Sequence, residues 1–250
     1  MISIREPNRK FLEFAIQQLD ALKHHGKIIR ATLICLLALC LSSSDSHNAE
    51  HKPAIEAFEK VGLIKGEHYI ILKNPLPVDS IESLSVIEFF WYGCGHCLKI
   101  EEPLKQWLGS LPSRVKFEKM PAIWKDSMGL HARAHYIAAS IDPQRMTKAL
   151  FPLILQIRKS NDLDEHKREL QQFFARYYIN DNEFETLWQD ETILNNVERA
   201  AAWQKQAKVS GTPAIIIDGK YMVNNPALGD VTNIIPVADK MVRALLRVAT

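Results

Sequence analysis

The sequence predicts an α/β fold: a mixed central sheet flanked by helices and interrupted by an all-helical insertion. Three observations predict it. Two β-rich segments, Val86–Tyr92 (VIEFFWY) and Val115–Met120 (VKFEKM), bracket a stretch of helical spacing. From Ile123 to about Lys208 strand signals vanish and helical stretches follow one another. Strands then return at Ala214–Ile217 and Lys220–Val223, joined by Asp218-Gly219, a dipeptide that marks a tight hairpin.

Each element has its own signal. The stretch PAIEAFEKVGLI, ending at Ile64, is weakly helical. Glu67–Leu72 reads as a short strand closed by the turn-rich Asn74-Pro75-Leu76-Pro77. Val86–Tyr92 is apolar, aromatic and β-branched on both faces, as a buried central strand requires. Gly93 ends it, and Cys97–Leu108 carries apolar residues at helical spacing. The insertion reads as helices over Gly129–Ser140, Gln144–Arg158, Asp164–Tyr178, Asn182–Gln189 and Thr192–Lys208, with Asp181 and Asp190 as caps of the last two. An amphipathic helix over Val237–Val248 closes the chain. The resulting division is 1–44, an N-terminal extension with a signal peptide; 45–65, an N-terminal helical extension; 66–122, the first part of the sheet domain; 123–190, the helical insertion; and 191–250, the second part of the sheet domain.

Composition excludes several classes. The chain has 250 residues, is 47% hydrophobic and 24% charged, and so is neither disordered nor polytopic in a membrane. Its 31 basic and 29 acidic residues show no clustered basic excess, so no nucleic-acid partner is expected. Ala31–Leu41 (ATLICLLALCL) follows Lys27 and Arg30 and precedes three serines. Eleven residues rise about 16 Å as a helix, roughly half a bilayer core, so the run fits a secretory signal better than a span. A short buried helix is the alternative. Cleavage near Ser44 removes Cys35 and Cys40 and leaves 25 basic against 26 acidic residues. The mature chain then holds two cysteines, Cys94 and Cys97, and is placed in the periplasm.

Those two cysteines frame Cys94-Gly95-His96-Cys97, which follows a strand and opens a helix. A lone C-x-x-C is half a zinc site, but the second pair of ligands is missing from the mature chain. At a helix start, unpaired N–H groups and the positive end of the helix dipole favour thiolate over thiol. His96 can add positive charge or donate to the sulfur. Cys94 is therefore the attacking sulfur, with a depressed pKa, and Cys97, one turn in, is the resolving one. Stabilising the thiolate stabilises the reduced protein and makes the disulfide more oxidising.

Three further features bear on this site. Gly211-Thr212-Pro213 precedes a strand, where proline belongs at the first residue. A cis bond there would leave the Thr212 backbone available to an extended client chain; an ordinary trans turn is the alternative. Glu88 lies in the middle of VIEFFWY, and Lys119 on the neighbouring strand can pair with it beneath the cysteines. A carboxyl with its pKa raised by burial can relay the proton of Cys97; a solvated edge-strand glutamate is the alternative. His131 and His135 (HARAH) are four apart on a helix, and with no carboxylate in the H-E-x-x-H position they read as surface histidines. Trp91 and Tyr92 read either as an apolar rim for clients or as core. Asp162–Glu169 reads as a solvated helix face.

Together, VIEFFWYGCGHC, VKFEKM, VSGTPAIIIDGKYMVN and Tyr69–Pro77 resemble the DsbA family of thiol–disulfide oxidoreductases, which have a thioredoxin fold with an inserted helical domain. The resemblance implies Cys94 as nucleophile, Cys97 as resolving thiol, His96 as thiolate stabiliser, Pro213 as a cis-proline and Glu88–Lys119 as a buried charged pair. It implies no cofactor beyond the redox-active Cys94–Cys97 disulfide. The implied partners are reduced or unfolded secreted proteins and a quinone-linked, DsbB-like membrane oxidase. The sequence departs from the family pattern in two places. Gly95 replaces the usual proline, giving the dipeptide of protein disulfide isomerases, and Thr212 stands where DsbA proteins often have valine. Both bear on oxidase against isomerase or reductase character. Residues 45–65 extend beyond a minimal DsbA and offer a homodimer contact. A thioredoxin-fold carrier of a soft metal and a redox-silent chaperone are the readings from other classes.

Overall fold

The computed structural model describes residues 51–78, 83–223 and 225–248. The segment 1–44, with Cys35, Cys40 and the signal-peptide reading, lies outside the described residues, as does the start of the 45–65 extension. The chain divides into two units, Met1–Pro53 and Ala54–Thr250, and the sheet lies in the second.

A helix (α1) covers residues 51–60. It is followed by β1 (Tyr69–Ile71), β2 (Leu84–Phe90), α2 (Gly95–Gly109) and β3 (Val115–Pro121). Five helices come next: α3 (Asp126–Ile141), α4 (Met146–Ile157), α5 (Leu163–Ala175), α6 (Asp181–Trp188) and α7 (Glu191–Ala207). The hairpin β4 (Ala214–Ile217) and β5 (Tyr221–Val223) then leads to α8 (Ile234–Val248). The sheet order is β1-β5-β4-β2-β3. Among these strands only the β2–β3 pair is parallel, so the sheet is mixed.

Alternation along the central strands sorts side chains onto two faces. Ile87, Phe89 and Ile216 belong to a core shared with the helical insertion. Val86, Ile215 and Ile217 belong to a second core with Phe58 of α1, Ile100 and Leu104 of α2 and the apolar side of α8. The sheet thus separates two apolar layers. The helix α7 packs on both α3 and β3, tying the insertion to the sheet's edge.

Several boundaries shift for physical reasons. The strand β2 stops at Phe90 instead of Tyr92. Its antiparallel partner is exhausted at the Phe89–Ala214 pair, because the next residue of that strand is Pro213, which has no N–H to give. Trp91 and Tyr92 therefore leave the ladder. Asp181 is not a cap. Asn180 is, accepting from the Glu183 N–H while the Glu183 carboxylate accepts from the Asn180 N–H. Asp190 caps α7 by accepting from the Ile193 N–H. The hairpin turn has positive φ at both Asp218 (54°) and Gly219 (61°), the conformation that Asp-Gly tolerates.

Candidate active site

The site is built where β2 runs out. Residues 91–94 cross from the strand to the helix, and the Cys94 N–H closes the turn on the Trp91 carbonyl at 3.0 Å. Cys94 is the N-cap of α2, with extended backbone (φ −97°, ψ 115°). The cap position leaves the first N–H groups of the helix without intrahelical partners, close to the Cys94 side chain. Gly95 and His96 are exposed; Cys97, one turn in, is buried. Both cysteines are free, with no disulfide between them.

From the other end of the chain, Thr212 arrives beside Cys94. The Thr212–Pro213 peptide bond is cis. The Cys94 thiol donates to the Thr212 carbonyl at 3.3 Å.

The two sulfurs ionise very differently. The Cys94 pKa is lowered to about 5, chiefly by the Cys97 thiol donating to it, against the cost of burial, and further by the Thr212 side chain and the N–H groups of Cys97 and His96. It is the backbone of His96, not its ring, that supplies this contact. Cys97 is pushed far up, first by burial and then by the neighbouring Cys94 and Glu88.

Beneath the cysteines, Glu88 of β2 and Lys119 of β3 are register partners. Lys119 Nζ lies 3.5 Å from Glu88 Oε2 and hydrogen-bonds Glu101 of α2 more closely. Glu88 is wholly buried, and neither of its carboxyl oxygens has a hydrogen-bond partner among the described residues. Burial lifts its pKa to about 7, with Lys119 opposing and Glu101 adding to the rise. The Lys119 ammonium also sits 4.5 Å from the centre of the Phe90 ring. Sequence patterning does not single out Glu101. Its one available signal is its place one turn after Cys97 on the same helix face.

The histidines of HARAH are not on the surface, a correction to the sequence reading. His131 is 1% exposed and His135 4% exposed. The helix α3 is covered nearly all round, so its histidines are core residues whose ring nitrogens must be satisfied. His131 Nδ1 accepts from the Trp91 indole N–H at 3.1 Å, and the Tyr92 hydroxyl meets His135 Nδ1 at 2.8 Å. Burial depresses both histidine pKa values to about 3. Tyr92 is core, packed on Phe90 and Phe151, whereas Trp91 is half-buried. Asp162–Glu169 is a solvated face except for His166, which is fully buried against His131.

Gly93 carries a packing constraint. A Cβ built on it would lie 2.3 Å from the Trp91 ring. Gly93→Ala is therefore expected to displace the indole and cost about 1–3 kcal/mol of stability, checked by urea denaturation. An unchanged midpoint would show that the ring moves aside at no cost.

Among the described residues no group of three or more His, Cys, Asp or Glu side chains is gathered as metal ligands. The metal-carrier reading rests on the two sulfurs alone.

Comparison with known proteins bears on the whole arrangement. Residues 104–234 match the DSBA-like thioredoxin domain, a span that contains Lys119, the insertion and Thr212-Pro213. The thiol:disulfide interchange protein DsbA of Azotobacter vinelandii is 28% identical over 179 residues, covering 71% of this chain and 82% of the relative. The protein of the same name from Pseudomonas syringae pv. tomato is 25% identical over 211 residues, covering 84% and 94%. The crystal structure of Pseudomonas aeruginosa DsbA superposes with a TM-score of 0.65 at 24% identity, covering 74% of this chain and 96% of that one, a likeness of fold. With more than half its length matched, and with a mixed sheet carrying a helical insertion between β3 and β4, the chain belongs to the DSBA-like thioredoxin domain family.

Proposed function

We propose that the protein is an exported thiol–disulfide oxidoreductase that exchanges its Cys94–Cys97 disulfide with cysteines of folding proteins. The observation that carries this is the asymmetry of the pair: a half-exposed sulfur held anionic at a helix start, beside a buried sulfur held as thiol. The relatives' name, thiol:disulfide interchange protein, describes the same chemistry.

Each step balances in atoms and electrons. With the disulfide formed, a client thiolate attacks Cys94 Sγ, and the Cys94–Cys97 bond breaks. Cys97 leaves with the electron pair and takes a proton, for which Glu88, titrating near neutrality, is the nearby donor. A second client thiolate attacks the client sulfur of the mixed disulfide, and Cys94 leaves as the stable thiolate. The client is oxidised by two electrons and the enzyme ends as a dithiol. In reverse, the Cys94 thiolate attacks a client disulfide and Cys97 resolves it, which is isomerase or reductase chemistry. The Thr212 backbone, on the turn facing Cys94, offers an edge to an extended client segment.

Reoxidation falls to a quinone-linked, DsbB-like membrane oxidase, and the setting is the periplasm. Among the described residues no helix is long and apolar enough to cross a membrane. The helical extension within 45–65 is the surface for a homodimer.

Isomerase-like poise is the second reading, and Gly95 favours it. A Cβ at this position meets nothing within 4 Å, so packing does not demand glycine. As the first residue of α2 it would also accept proline. The deciding measurement is the redox equilibrium with glutathione together with refolding of a scrambled-disulfide client. An oxidising equilibrium without unscrambling supports the oxidase; efficient unscrambling supports the isomerase. No exchange with glutathione would overturn both, and bound soft metal in protein purified without chelator would favour the carrier.

A further inference from the structure

Four residues separate the last residue of β2 from the first residue of α2, and the three that lead to Cys94 are each tied to the insertion. The Trp91 indole N–H donates to His131 Nδ1 at 3.1 Å. The Tyr92 hydroxyl meets His135 Nδ1 at 2.8 Å. The Gly93 carbonyl accepts from Arg158 Nη1, at the end of α4, at 2.5 Å.

The partners at the far side of each ring fix where the protons lie. An indole N–H only donates, so His131 Nδ1 is bare and its Nε2–H points at His166 Nδ1, 2.9 Å away. His166 Nε2 then donates to the Ser160 carbonyl at 3.0 Å. His135 Nε2 faces the Lys119 carbonyl at 3.2 Å, which only accepts, so His135 Nδ1 accepts from the Tyr92 O–H. Every ring nitrogen in the three histidines is used once, with all three neutral. His135 thereby joins the tail of β2 to the backbone of Lys119, whose side chain faces Glu88.

We propose that His131 and His135 are positioning residues for Cys94: one turn apart on α3, they grip the polar edges of Trp91 and Tyr92 and so set where the Cys94 sulfur meets the helix start and the Thr212 carbonyl. This rests on the reading of Cys94 as the nucleophile. It assigns the insertion a share in the chemistry, because α3 holds the segment from which the sulfur hangs.

The test reads Cys94 ionisation through the pH dependence of its alkylation by iodoacetamide. Urea midpoints establish that each variant is folded. Tyr92→Phe removes one hydroxyl and nothing else, and His135→Phe removes the same bond from its other side. Each is expected to raise the apparent Cys94 pKa by about one unit, a tenfold loss of thiolate in the pH range below it. The double variant should shift no further than His135→Phe alone, which also loses the bond to the Lys119 carbonyl. His131→Phe should act in the same direction. His135→Gln, which keeps an acceptor and a donor, should restore most of the wild-type value. Lower stability with an unchanged Cys94 pKa in folded Tyr92→Phe and His131→Phe would overturn the proposal and leave the histidines as packing groups. Wild-type exchange with glutathione, run in parallel, judges the functional reading separately, since alkylation requires no client.

Discussion

Cys94→Ser is expected to reduce exchange with a reduced, two-cysteine peptide to background, while Cys97→Ser, given the same peptide in its disulfide form, leaves the attack of the Cys94 thiolate on that disulfide intact and traps the mixed disulfide. The difference follows from geometry. Cys94 is half-exposed at the helix start, whereas Cys97 is buried and shielded from a client. Non-reducing gels should show a covalent enzyme–peptide adduct with Cys97→Ser and none with Cys94→Ser. Exchange that survives the loss of Cys94 would remove the basis of the assignment. The same sulfur makes the reduced protein's stability depend on pH. Its folded pKa, about 5, lies below its ordinary value of 9.0. The thiolate's contribution is therefore complete above the ordinary value and is lost as pH falls toward about 5. Reduced protein should gain on oxidised protein in urea midpoint as pH rises across that window.

Glu88→Gln should strengthen the fold and weaken the chemistry. The wild-type carboxyl titrates near 7 in the folded protein against 4.5 ordinarily, because the cost of burial outweighs the attraction of the Lys119 ammonium. Below about 4.5 it is protonated in both states and costs nothing extra. As pH rises from there through about 7, the folded protein holds a proton that the unfolded chain has released, so stability falls with pH. Above that window the cost is on the order of 3 kcal/mol, from roughly 1.4 kcal/mol for each unit. Glutamine removes the titration, and Lys119 keeps Glu101 as its partner. Urea midpoints should favour Glu88→Gln at pH 8 and converge with wild type near pH 4.5. Release of Cys97 loses its proton donor, so exchange should slow by about a hundredfold or less. A stability difference that does not change with pH would rule out a buried, titrating Glu88.

Much of the fold and the site is legible in local sequence. VIEFFWY announces a buried strand by its apolar, β-branched run, Asp218-Gly219 announces the hairpin, and the two cysteines stand at a junction of strand and helix. The Glu88–Lys119 pair is legible because a period of two puts each on a definable face. Other features depend on partners distant in the chain. HARAH looks polar, yet its histidines pair with Trp91 and Tyr92, 40 and 43 residues earlier. No periodicity within α3 reports those partners, and an isolated polar histidine defaults to the surface. Glu101 sits among charges on α2, and only the approach of β3 distinguishes it from its neighbour Glu102. Asn180 rather than Asp181 is the cap because both residue types cap helices, and the choice turns on one residue of register.

The placing of α3–α7 between β3 and β4 has a consequence for biogenesis. Cys94 and Thr212 lie 118 positions apart. Translation runs from the amino end, so at about 5–20 residues per second both thiols leave the ribosome on the order of ten seconds before the threonine that flanks them. For that interval the nascent polypeptide holds both thiols without the turn that lies beside Cys94 in the complete fold. A chain cut short within the insertion would carry both cysteines but not the Thr212 carbonyl that lies beside Cys94 in the complete fold.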